Sequence, residues 1–267
     1  MRPRITPEKA RVHGRAFGQE ADRYDRVRPG YPDTAVEALL DGLPEAPRVL
    51  DLGAGTGKLS GHLVSALERR RAPEGRGEHG MWGEHGAGTV VAVDPDAAAL
   101  QRNPAAEVHV GTGEEIPLPD ASVDLVTIAQ AWHWMEPAAT CREVHRVLVP
   151  GGRLAILVNQ LDVREPWVHR LSRIMHAGDV YRPAWRPEVG EGFSAVEAAT
   201  TAFTQPMTTA DLVDLAATRS YWLRSGEATR QKVADNLRWY LEEHLGHHPE
   251  TVLDLPYLCL RYTTTKV

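Results

Sequence analysis

The segment that most constrains this chain is Arg48-Val-Leu-Asp-Leu-Gly-Ala-Gly-Thr-Gly-Lys-Leu-Ser60. A short apolar run carrying Asp51 passes through three alternating glycines and opens an amphipathic stretch from Leu59 to Leu67. That order predicts a buried strand, a tight turn and a helix start. Gly53, Gly55 and Gly57 carry no Cβ, so backbone there can press against a ligand. The helix behind them aims its N–H groups and positive dipole end at the same space, which suits an anionic group. The loop therefore predicts a site for a nucleotide-like small molecule.

Spacing separates the ligand classes that use such a loop. A dinucleotide fingerprint G-x-G-x-x-G needs glycine at position 58, where the chain has Lys58. A Walker A loop needs Gly-Lys followed by Ser or Thr, with a glycine five places before Gly57; Leu59 follows and Leu52 precedes. What remains is D-x-G-x-G-x-G, which resembles motif I of the class I S-adenosylmethionine (SAM) methyltransferases. Thr89-Val-Val-Ala-Val-Asp94-Pro95 is a second buried strand ending in an acid. A carboxylate there can accept both ribose hydroxyls of a nucleotide. Val108-His-Val-Gly-Thr-Gly-Glu-Glu-Ile-Pro-Leu-Pro-Asp120 resembles the family's adenine-lining segment; Thr112 replaces its usual Asp, while Gly113 and Glu114 keep the backbone and acidic positions. Glu143-Val-His-Arg-Val-Leu-Val-Pro-Gly-Gly152 matches the family's helix and turn before the fifth strand. The four matches come in order and span about Phe17 to Asn159.

The segment Phe17–Pro32, with Tyr24-Asp-Arg and Arg28-Pro-Gly-Tyr-Pro, is similar to the start of ubiquinone-biosynthesis-type and trans-aconitate-type small-molecule methyltransferases. The resemblance implies a doubly wound, Rossmann-like α/β domain whose seven-stranded sheet has helices on both faces and an antiparallel last strand. It implies SAM as cofactor and S-adenosylhomocysteine as product. The implied cofactor residues are Tyr24 and Arg28 from a lid, Asp51, Gly53, Gly55 and Gly57, then Asp94, Pro95, Thr112, Gly113, Glu114 and Gln130. Asp51 would orient the ammonium of the methionine moiety or a bound water. Arg28 could reach the cofactor carboxylate or an acidic substrate; Tyr24 and Arg28 could also only cap and pack the first helix.

Residues 1–267 are expected to form one domain: a lid at 1–40, a cofactor core at 41–159, and substrate-pocket insertions with the last two strands at 160–267. Strands are expected near 48–52, 89–94, 107–111, 123–129, 153–159, 196–205 and 254–264, and late helices near 166–177, 208–219 and 226–245. Alternation of strands and helices through Asn159 predicts a parallel sheet, with ligands outside its carboxyl edge. Arg69–Gly88, polar and Gly-rich, would then be an insertion on the opposite edge, where His79, Met81 and His85 read as a surface loop rather than a metal site. No Cys/His spacing resembles a zinc site, and no metal is expected.

The net charge of −6 argues against a general nucleic-acid surface. No apolar run is long enough to span a membrane, and the N-terminus has no apolar signal core. Two cysteines, Cys141 and Cys259, suggest reduced thiols and a cytoplasmic protein. The resemblance implies a small-molecule methyl acceptor as its partner. The loop Ala129-Gln-Ala-Trp-His-Trp-Met-Glu136 would face the transferred methyl group. His133 is its candidate catalytic residue: a base toward a hydroxyl, a hydrogen-bond partner of the acceptor, or a structural histidine. Trp167, Tyr181, Trp185, Tyr221, Trp222, Trp239 and Tyr240 suggest an aromatic acceptor pocket, though most fit helix packing. Arg164, Arg182 and Arg186 keep a carboxylate acceptor open. An oxygen acceptor, hydroxyl or carboxylate, is favoured over carbon or nitrogen. A nicotinamide-dependent oxidoreductase and a non-catalytic SAM binder are the alternatives.

Overall fold

The computed structural model describes residues 21–71, 88–177, 181 and 184–267. Helices α1 (Ala21–Val27) and α2 (Asp33–Leu40) precede the sheet. Then β1 (Arg48–Leu52), α3 (Lys58–Arg71), β2 (Thr89–Asp94), α4 (Ala97–Leu100), β3 (Glu107–Val110) and β4 (Val123–Ala129) alternate. Helix α5 (Pro137–Val147) leads into β5 (Leu148–Leu161), and α6 (Pro166–Ile174) follows it. Strand β6 (Glu197–Thr208), α7 (Thr209–Ala217), α8 (Ser220–Arg224), α9 (Glu227–Arg238) and β7 (Val252–Thr265) complete the chain.

The strands form one sheet in the order β3-β2-β1-β4-β5-β7-β6. Pairings from β3 through β5 are parallel, whereas β7 runs antiparallel to both β5 and β6. The central strands β1, β2 and β4 are almost wholly buried because helices cover both faces, which is why they read as unbroken apolar runs. Edge strand β6 alternates exposed and half-buried residues instead. The order reverses between β1 and β4, and that switch point is where open α/β sheets bind ligands.

The expected strands are all present, with shifted ends. β5 begins at Leu148 rather than near position 153, because Leu148 already pairs with Val123; a register shift then restores pairing at Leu125 and Arg153. The expected helix 226–245 is α-helical only to Arg238 and continues as a wider turn over Trp239–His244. The Arg69–Gly88 insertion starts late, since α3 runs on to Arg71. His79, Met81 and His85 lie outside the described residues.

Candidate active site

The glycine loop is built by three different demands. Gly53, Gly55 and Gly57 all have positive φ, at 73°, 52° and 90°, where a side chain is strained. A Cβ on Gly53 would sit 2.5 Å from the Ala131 Cβ, and one on Gly57 would sit 2.8 Å from the Asn103 Cγ. At those two positions a side chain would collide with protein. A Cβ on Gly55 meets nothing within 4 Å. Of the three, Gly55 alone turns bare backbone to open space.

Asp94 ends β2 beside that space. Its Oδ2 accepts the Gly55 N–H at 2.9 Å and its Oδ1 accepts the Asp96 N–H at 2.8 Å, leaving further lone pairs on both oxygens. Burial raises its pKa. Pro95, next along, is exposed. Asp51 behaves differently. It is 1% exposed, and its oxygens accept from the Ser60 Oγ at 2.7 Å and the Thr127 Oγ1 at 3.2 Å. Burial pushes its pKa up to about 6. So enclosed, the carboxylate braces β1 against α3 and β4.

Thr112, Gly113, Glu114 and Glu115 form a tight turn closed by reciprocal backbone bonds between Thr112 and Glu115. Gly113 is needed there, since a Cβ would come within 2.9 Å of the Met135 Sδ. The Glu114 carboxylate accepts the Glu136 N–H at 2.8 Å, tying this turn to the loop after β4. In that loop Gln130 has φ 56° and donates through Nε2 to the Asn159 carbonyl at 2.8 Å. Trp132 is buried in the core, and His133 lies exposed against the half-buried Trp134, with ring centroids 4.6 Å apart. His133 makes no hydrogen bond to any described residue, so it does not anchor the loop. The protein around it and the positive charge of Arg28 push its pKa down to about 4. The imidazole is neutral at physiological pH.

The N-terminal segment is strapped across the same edge. Lys58, which breaks the dinucleotide fingerprint, donates to the carbonyls of Asp25 at 2.6 Å and Arg28 at 2.9 Å, at the C-terminal end of α1. Asn159 donates to the Gly30 carbonyl at 2.8 Å. The Arg28 guanidinium bonds the Thr218 side chain at 2.9 Å and its carbonyl at 2.8 Å. Tyr24 lies on α1, but its side chain is outside the described ones. Sequence reasoning missed Lys58, Thr218 and Asn159 as parts of this edge. Asn159 had a local signal, a polar residue at the end of an apolar strand; Thr218 had none.

Five of the seven aromatic residues expected around an acceptor pocket pack in the apolar clusters. Tyr240 is buried, Trp167 and Trp222 pack on the same apolar cluster, and Tyr181 and Trp185 pack on the central one. Arg164 is held bidentately by Asp162, at 2.8 and 2.6 Å, and Arg186 lies 5.9 Å from the Tyr262 ring. Arg182 is outside the described residues. Among the described residues no cluster of His, Cys, Asp or Glu could hold a metal ion, and no helix is long and apolar enough to cross a membrane.

Comparison with known proteins agrees with this geometry. The methyltransferase-domain family matches residues 75–156. An uncharacterized methyltransferase of Mycobacterium tuberculosis strain H37Rv is 40% identical over 255 residues, covering 93% of this chain and 95% of that protein. The malonyl-[acyl-carrier protein] O-methyltransferase of Methylococcus capsulatus is 37% identical over 162 residues, 56% of this chain and 52% of its own. Among solved structures, a protein provisionally assigned as a type II methyltransferase from Anaeromyxobacter dehalogenans has a TM-score of 0.56 at 23% identity, covering 90% of this chain and 97% of that one. The chain belongs to the methyltransferase family. It is an enzyme of that family.

Proposed function

We propose that the chain transfers the methyl group of SAM to a carboxylate oxygen of a small acceptor, giving a methyl ester. The residues present fit the cofactor: Gly55 offers bare backbone to open space, and Asp94 presents a carboxylate beside it. Asp94 would accept the ribose hydroxyls, with Pro95 shaping the same corner. Thr112, Gly113 and Glu114 would line the base, while Gly53 and Gly57 hold the loop in shape. Gln130 would set the floor, and Arg28 with Tyr24 would close the N-terminal segment over the methionine end. Bound there, SAM supplies a methyl group on a sulfonium and a neutral thioether leaving group.

His133 carries the choice of acceptor. An imidazole whose pKa is held down near 4 is a poor base toward a hydroxyl of pKa about 10. A carboxylate is already ionised at neutral pH, so no residue has to take its proton. The neutral imidazole can then donate an N–H to the acceptor, and the nearby Arg28 charge favours an anion at that place. The O-methyltransferase of Methylococcus capsulatus, similar over half of both chains, supports transfer to oxygen.

The test is incubation with methyl-labelled SAM and a panel of carboxylic acids and phenols, followed by mild alkali. Methyl esters release labelled methanol, whereas methyl ethers do not. Base-labile label is expected. Label found only in base-stable products overturns the ester reading and restores a hydroxyl acceptor.

A further inference from the structure

A second concave site lies away from the glycine loop, between α6 and α9. Its volume is about 720 Å³, within the size range of small-molecule sites. Val233 and Ile174 floor it, and both pack with the apolar cluster that joins α6 to α9. Five basic side chains surround that floor: His169, Arg170, Arg173 and His176 from α6 and its end, and Lys232 from mid-α9. Among the described residues, no acidic side chain lines the groove. None of the five forms an ion pair with a described residue. Tyr221 stacks on His176, with centroids 3.9 Å apart and planes 23° from parallel, so one wall is a flat aromatic face. Arg170 lies 5.9 Å from the Trp239 ring and 5.4 Å from the Tyr240 ring, an approach that positions the cation without neutralising it.

This grouping goes against the chain as a whole, which carries a net charge of −6. Helix ends explain only part of it. Arg173 sits in the last turn of α6, where a cation complements the dipole, but Lys232 is in the middle of α9 and His169 in the first half of α6. Gathering like charges around a concave floor costs repulsion that an anion would relieve. Arginine forks and a lysine point charge together suit phosphate oxygens, and imidazole N–H groups add donors.

We infer that this groove binds a small molecule carrying a phosphate group, at a site separate from the methyl-transfer centre. A nucleic-acid strand fits less well, because the basic surface is one compact groove rather than a track. The groove adjoins the catalytic edge through short links. Ala177, just beyond His176, accepts from the Arg219 Nη1 at 3.1 Å, and Arg219 follows the Thr218 that holds Arg28. A ligand here could therefore be the distal end of the acceptor or a separate effector; both share the phosphate chemistry.

Calorimetry with inorganic pyrophosphate, run on the full chain at low and moderate salt, tests the site. Sub-millimolar binding that weakens with salt is expected. The paired variant Arg170→Gln/Arg173→Gln should weaken it roughly tenfold or more for each charge-assisted hydrogen bond removed. Lys232→Gln should weaken it by less. SAM titrated into the same variants should bind as in the wild type, which separates a lost groove from a lost fold or a wrong cofactor site. Failure of pyrophosphate to bind below tens of millimolar, or equal binding by wild type and the paired variant, overturns the inference. Citrate binding as tightly as pyrophosphate overturns the phosphate assignment. Pyrophosphate competing with the acceptor marks the acceptor's distal end; pyrophosphate changing turnover without competing marks an effector.

Discussion

The two halves of this sheet hold their part of the site in different ways. In the β3-β2-β1-β4 half, each proposed site residue sits within a few residues of the strand that delivers it: Gly55 after β1, Asp94 at the end of β2, Thr112–Glu114 after β3 and His133 after β4. In the β5-β7-β6 half, the contacts are made across the chain. Arg28 meets Thr218 from 190 positions away, and Asn159 reaches Gly30 from 129. A loop whose shape is set by its own backbone can be read from its own residues. A contact between distant segments is decided by packing, which no local pattern records.

The largest expected effect probes the local half. Gly53→Ala places a Cβ 2.5 Å from Ala131 at φ 73°. Strain of about 1 kcal/mol and overpacking of about 1–3 kcal/mol should lower stability by about 2–4 kcal/mol. Gly55→Ala adds its Cβ to open space, so it should cost only about 1 kcal/mol of stability while weakening SAM by tenfold or more. Chemical denaturation and SAM calorimetry on both variants check this. If Gly55→Ala unfolds as readily as Gly53→Ala, or binds SAM like the wild type, Gly55 does not face the cofactor.

The second prediction sets Asp51 against His133. Asp51 has its folded pKa raised from 3.8 to about 6, so the folded state holds its proton longer than the unfolded chain. Stability from this group is present at low pH and is lost as pH rises from about 4 to about 6, by about 3 kcal/mol in all. His133 has its folded pKa depressed, so the unfolded chain binds the extra proton and stability rises with pH through the same window. The two slopes oppose each other in the wild type. Asp51→Asn should leave a curve that climbs more steeply toward neutral pH, and His133→Asn one that falls. Parallel curves for all three proteins would show that neither group is perturbed as described.

Asp94→Ala comes next. Losing the hydrogen bonds to the ribose should weaken SAM by about 1–3 kcal/mol. The Gly55 and Asp96 N–H groups it now satisfies would turn to water, so stability should change less than affinity. Unchanged affinity would remove Asp94 from the site.

These outcomes bear on what the sequence could disclose. The motif at 48–60 specified the loop, and the acid ending the second strand was legible because both belong to strand–turn–helix units. The same motif could not say which glycines face outward. Gly53 is pressed by Ala131 from β4's loop, and Gly57 by Asn103 beyond α4, so the answer depended on how those loops fold back. The enclosure of Asp51 was hidden for the same reason: its partners, Ser60 and Thr127, close around it from α3 and β4. Lys58 looked like a departure from a fingerprint, yet its ammonium ends α1, whose position no local pattern reveals. Of the aromatic residues after Asn159, Trp167, Trp222 and Tyr240 serve the packing of α6, α7 and α9 on β7, a use that their spacing alone did not separate from a pocket.

The smallest effect on stability, and the most telling for chemistry, belongs to His133. Because it is exposed and bonds no described residue, His133→Ala should fold like the wild type. If the acceptor is a carboxylate, the histidine only helps to hold it, and the variant should keep kcat within about tenfold while KM rises modestly. The wild-type pH–rate profile should then be flat from about 6 to 8, since a pKa held down near 4 puts no limb in that range. A hydroxyl acceptor requires a base, and the same variant would then lose about 10²–10⁴-fold in kcat with SAM affinity unchanged. In that case the profile would show an acid limb in the ordinary histidine range, which would mean that bound substrate raises the imidazole from its depressed value. The two patterns cannot be mistaken for each other, because one moves KM and leaves the pH profile level, and the other moves kcat and bends it.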